Sequence, residues 1–172
     1  MGLKGINAIN KILNEFLEKF EATADMGTDF CYWNTASLIH YALVISDGHN
    51  DYFMENFNRL APDIKCDAFL ASFLHELGHH ETICLIEDAD EVYCRDVKHE
   101  LSQELKKKHS ETEIKTLYQR YFDLPDEYEA TMWAIEYIRE NSEEVVALWE
   151  KLQKAIIKFY KINRIEVDIV GC

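Results

Sequence analysis

From position 66 to 86 the chain has no proline and a single glycine, and Phe69, Leu70, Phe73, Leu74 and Leu77 follow a helical spacing. That period predicts an α-helix with one buried stripe, and the fold must cover it. Inside the helix stands His75-Glu76-Leu77-Gly78-His79, an H-E-x-x-H pattern. Residues i and i+4 share a helical face, one turn apart. Two imidazoles so placed can both reach one Zn²⁺ ion at about 2.0–2.1 Å. Glu76 is then the candidate catalytic residue, a general base acting on water. Gly78 costs about 1 kcal/mol of helix propensity against alanine. Such a glycine lets another backbone, or a substrate, approach closely. His80 lies about 100° further round the helix and reads as a supporting or solvated residue, not a ligand.

A catalytic zinc takes three protein ligands and keeps one position open. The third ligand is not a nearby His, because position 82 is Thr and position 85 is Leu where H-E-x-x-H-x-x-G-x-x-H would need a Gly and a His, and a Glu from a second helix is expected. Three acidic or polar groups compete for the role. Glu87, Asp88 and Asp90 read as a solvated acidic loop. His99 and Glu100 belong to a charged stretch, 96–109. Asp126, Glu127 and Glu129 begin an apolar helix in which Pro125 suits the first turn. Ala130, Trp133, Ala134 and Tyr137 form the stripe of that helix, and Glu127 lies on or beside it. A carboxylate on a packed face needs a partner, because an unpaired buried charge is costly. Glu127 is therefore favoured as a metal ligand. Asp126 and Glu129 are read as acids that complement the helix N-terminus.

With both blocks in view, the chain resembles gluzincin-type zincins, and more narrowly the ImmA/IrrE family of small metallopeptidases. The resemblance rests on Leu74-His75-Glu76-Leu77-Gly78-His79 and on Glu127-Tyr128-Glu129-Ala130-Thr131-Met132-Trp133-Ala134, similar to the family's E-x-E-A-N-x-F-A block. It implies Zn²⁺ held by His75, His79 and Glu127, with Glu76 as catalytic base. It also implies limited proteolysis of a protein substrate. The implied fold is α+β, mostly helical and zincin-like, with the active-site helix packed under a small sheet. Thr131 stands where the family has Asn or Asp, so a supporting hydrogen bond to a ligand His is expected to be weaker or missing. The segment between the blocks, about 80 to 126, is longer than the family's.

A chain of 172 residues predicts one domain, 1–172. Its 48% hydrophobic content suffices for a core and excludes a disordered acidic tail. The net charge of −14 disfavours nucleic acid and favours basic peptides or protein surfaces as partners. Neither a membrane span nor a signal-peptide core is evident, and the five Cys show no C-x-x-C spacing. A cytoplasmic protein with free thiols is expected.

Elsewhere, 4–23 reads as an amphipathic helix, 25–29 as a turn, and 30–46 as two short strands or a hairpin. Segment 38–46 is the candidate edge strand for binding substrate backbone by strand addition. A short helix is expected at 51–60, an acidic loop or irregular strand at 87–96, helices at 96–108, 110–122, 126–140 and 142–162, and a strand at 164–170. Tyr121, Tyr128 and His99 are candidates by type for stabilising a transition state. The competing expectation is a catalytically silent protein on the same zincin-like fold. It would act as an interaction or structural and regulatory factor of phage or mobile-element origin.

Overall fold

The computed structural model describes residues 6–27, 32–34, 38–42, 49–82 and 88–163. The chain divides into two compact units, Met1–Val44 with Tyr137–Cys172, and Ile45–Glu136.

In the first unit, α1 (Ile6–Leu17) continues into a 3₁₀ turn at Glu18–Phe20, and α7 (Ser142–Asn163) packs against α1. Ile9, Leu13 and Leu17 of α1 are fully buried, as are Leu152 and Phe159 of α7. This core follows from the 3–4 spacing of those residues. Three strands, β1 (Thr23–Gly27), β2 (Tyr32–Asn34) and β3 (Leu38–Ala42), lie in the order β1-β3-β2. β1 runs parallel to β3, with Thr23 opposite Leu38, and β2 runs antiparallel to it, with Trp33 opposite Ile39. β3 is thus central. From Leu38 to His40 it is paired on both sides, so this part of the expected edge strand at 38–46 is not an edge, and residues 43–46 lie outside the described residues. The turn expected at 25–29 overlaps β1, and the strand expected at 164–170 lies outside the described residues.

The second unit carries the H-E-x-x-H motif and has no strand among its described residues. It is built from α2 (His49–Leu60), α3 (Ala68–Thr82), α4 (Asp88–Leu105), α5 (Glu111–Phe122) and the first turns of α6 (Pro125–Glu140). The expected α+β, zincin-like arrangement, with the motif helix under a small sheet, is therefore overturned for the unit that carries the motif, whose described residues form helices alone. The stripe of α3 requires a cover but does not specify a sheet. Leu70, Phe73, Leu74 and Leu77 are buried, α2 packs against α3 with Phe53 on His75, and α6 meets α3 at Gly78 through the Ala130 backbone.

Local signals set the ends of these helices. The Asp67 carboxylate accepts from the Phe69 amide and starts α3. Ser110 and Glu113 form a reciprocal capping box at the start of α5. The acidic loop expected at 87–96 is instead helical from Asp88 onward. Acids such as Asp90 and Glu91 favour the positive end of a helix as readily as they favour solvent.

Candidate metal centre

α3 and α6 meet backbone to backbone at Gly78. A Cβ on that residue would lie 2.3 Å from the Ala130 carbonyl oxygen and 2.9 Å from its carbonyl carbon. No side chain can occupy that space. The glycine brings Glu127, one turn before Ala130 on α6, up to the histidines of α3. One donor atom from each of His75, His79 and Glu127 lies within 4.8 Å of the other two. His75 Nε2 is 3.1 Å from Glu127 Oε2, and His79 Nε2 is 3.5 Å from Glu127 Oε1. A tetrahedral ion with bonds of about 2.1 Å separates its ligand atoms by about 3.4 Å, so the spacing suits one small cation.

The hydrogen bonds around His75 sharpen this. The Thr131 hydroxyl donates to the Glu127 carbonyl at 2.8 Å. Its single proton being used, it accepts from His75 Nδ1, 3.0 Å away. In the neutral ring Nε2 then presents a lone pair toward a carboxylate oxygen. Two acceptors facing each other in a buried site repel unless a cation, a proton or a metal, lies between them. Two imidazoles and a carboxylate are a donor set that zinc accepts. Thr131 therefore makes the supporting bond that its departure from the family block was expected to weaken. Its hydroxyl reaches the ring because Thr131 is fully buried, one turn after Glu127. The Phe53 ring closes the other side of His75 at 5.2 Å, edge-on.

Glu127 is 3% exposed. Burial opposes its charge, but His79 and Lys98 outweigh burial and hold the carboxyl well below the usual range. Burial likewise opposes the imidazolium of His79, and the Glu127 carboxylate overcomes it and raises that group. Glu76, one residue past His75, adds to the negative field at His79. The phenol of Tyr121 donates to Glu127. Burial first, then the charges of Glu127 and Glu76, push it well above its ordinary value, so it stays protonated as a donor. Of the three expected stabilisers, Tyr121 alone is placed at the site: Tyr128 is 40% exposed and His99 is exposed. His80 stands apart from the donor group and lies 3.8 Å from Glu81. The alternative ligands His99 and Glu100 are exposed on α4, and among the described residues no cysteine joins the donor group.

The sequence pointed to neither Lys98 nor the pairing role of Asp126. The Lys98 ammonium lies 2.5 Å from both Glu127 Oε1 and Asp126 Oδ2, and 5.4 Å from the centre of the Tyr121 ring. Asp126 also accepts from the Glu127 amide, as an acid at a helix start should. A lysine 28 residues before its partner leaves no periodic trace, and only the fold joins them.

No protein-family model matches this chain, and no match was found among curated proteins or solved structures. No helix among the described residues is long and apolar enough to cross a membrane.

Proposed function

We propose that the chain is a zinc-dependent peptidase, with His75, His79 and Glu127 as the metal ligands. The observation that carries this reading is the convergence of the buried His75 and Glu127 and the half-buried His79 from α3 and α6, with Glu76 next to His75 in the chain. The two blocks that resemble ImmA/IrrE metallopeptidases support it from the sequence side. When bound, zinc supplies a Lewis acid that polarises a peptide carbonyl and makes water acidic enough to react near neutral pH. Glu76 takes the proton from the attacking water and returns it to the departing amine. Tyr121, whose phenol donates to Glu127, steadies the carboxylate of that ligand. Thr131 fixes the ring of His75 so that Nε2 remains the ligand atom. The net charge of −14 favours a basic protein or peptide as substrate, and a reducing cytoplasmic setting suits the scattered cysteines.

The test is the metal content of the untagged protein by plasma mass spectrometry, with Glu127→Ala alongside. The expected result is near one zinc per chain, falling sharply in the variant. A protein that neither retains zinc nor takes it up on titration would sink the reading. Thr131→Val keeps the volume and removes the hydroxyl. It is expected to weaken zinc binding about 10- to 100-fold, measured by competition with a chromogenic chelator. Unchanged affinity would mean that Thr131 does not orient the ligand.

A second reading, an interaction or regulatory protein without turnover, is favoured by one observation: Lys98 already neutralises Glu127, so the buried carboxylate has a partner without a metal. The response of activity to Glu76→Gln separates the two.

A further inference from the structure

We propose that Lys98 is the stand-in for the metal: its ammonium supplies the positive charge that buried Glu127 requires in the metal-free protein, and it yields that carboxylate when zinc binds. This rests on the metal-site reading above for its second half, and on the fold alone for its first.

The geometry carries the argument. Glu127 is 3% exposed and cannot be left unpaired at acceptable cost. Its Oε1 is met by Lys98, while its Oε2 faces His75 Nε2. A second positive charge entering among His75, His79 and Glu127 is repelled by an ammonium already in contact with one of them. Lys98 nevertheless has somewhere to remain. Asp126 Oδ2 is as close to Nζ as Glu127 is, and it belongs to no donor group. The ring of Tyr121 lies beside the same nitrogen. Lys98 can thus give up one carboxylate and keep another without leaving its place between α4 and α6. The triad stays assembled without metal, and the ion does not have to organise it. Lys98 also lowers affinity, because the ion must displace a favourable contact.

The experiment uses the full chain, stripped with a chelator and then titrated with zinc. Urea unfolding and zinc affinity are measured for wild type, Lys98→Met, Glu127→Gln and the double variant. In the metal-free state Lys98→Met is expected to lower the unfolding midpoint markedly, and Glu127→Gln in the same chain is expected to restore much of it. With saturating zinc the loss in Lys98→Met should nearly vanish. By linkage its zinc affinity should then rise, by about tenfold or more. Lys98→Arg keeps the charge and should behave as wild type in the metal-free state. If Lys98→Met folds only when zinc is supplied, that is the same result in its extreme form. Failure to fold even with zinc would overturn the proposal. So would zinc affinity that is unchanged or weakened in Lys98→Met while wild type binds normally, and the metal site would then stand without it. Absence of zinc binding in wild type would instead remove the metal site itself, and the yielding of Glu127 with it.

Discussion

Gly78→Ala is expected to destabilise the motif-bearing unit by about 3 kcal/mol or more and to abolish tight zinc binding. Two effects oppose each other. Alanine is the better helix former by about 1 kcal/mol, which alone would stabilise α3. Against it stands a Cβ placed 2.3 Å from the Ala130 carbonyl oxygen. That separation is far inside contact distance, and the obstacle is backbone, not a flexible side chain. The helices must part, and Glu127 moves away from His75 and His79 as they do. Overpacking outweighs propensity. Urea unfolding and zinc titration of the purified variant measure both consequences. Truncating the neighbour should not help, because the clash is with the carbonyl, so Gly78→Ala with Ala130→Gly should remain destabilised. A Gly78→Ala protein as stable as wild type, with zinc affinity intact, would show that α3 and α6 are not held at this distance.

Glu76→Gln is expected to lower peptidase activity by about 10²- to 10⁴-fold while leaving zinc content near that of wild type. The amide keeps the size and the polar edge of the carboxylate but cannot take a proton from water. The ligand atoms of His75, His79 and Glu127 form a group without Glu76, so its substitution should leave metal binding standing. The two readouts must therefore diverge: turnover of a basic peptide library collapses and metal content persists. Equal turnover would remove Glu76 from the chemistry. Equal loss of metal and turnover would mean that it supports the site and does not act on substrate.

The course of α3 could be read from the chain because one apolar stripe and one pair of histidines obey the same 3.6-residue period. Glu127 could be read because a charge on a packed helical face demands a partner. The sheet over the motif was an expectation carried by family resemblance, and no residue in α3 required it: the buried stripe of Leu70, Phe73, Leu74 and Leu77 does not specify whether helix or strand covers it. The beginning of α4 was hidden because an acidic run such as Glu87, Asp88 and Asp90 suits both a solvated loop and a helix N-terminus. Segment 25–29 looked like a turn from Asp25 and Gly27, but β3 recruits Asp25 opposite His40 and Gly27 opposite Ala42. Pairing with a distant strand overrode local preference. Lys98 stayed invisible because its role depends on where α4 runs beside α6.

Glu127 enters the site twice. Its side chain faces His75 Nε2, and its backbone carbonyl accepts the Thr131 hydroxyl that in turn accepts from His75 Nδ1. Both ends of one imidazole are therefore wired to a single residue, in a closed circuit through one turn of helix. Fraying that turn would release Glu127 and unlock the ring of His75 in the same event. The centre should consequently assemble and dissolve as one unit. A titration followed by histidine NMR should show free and fully liganded rings in proportion, without a population in which His75 is engaged and Glu127 is not.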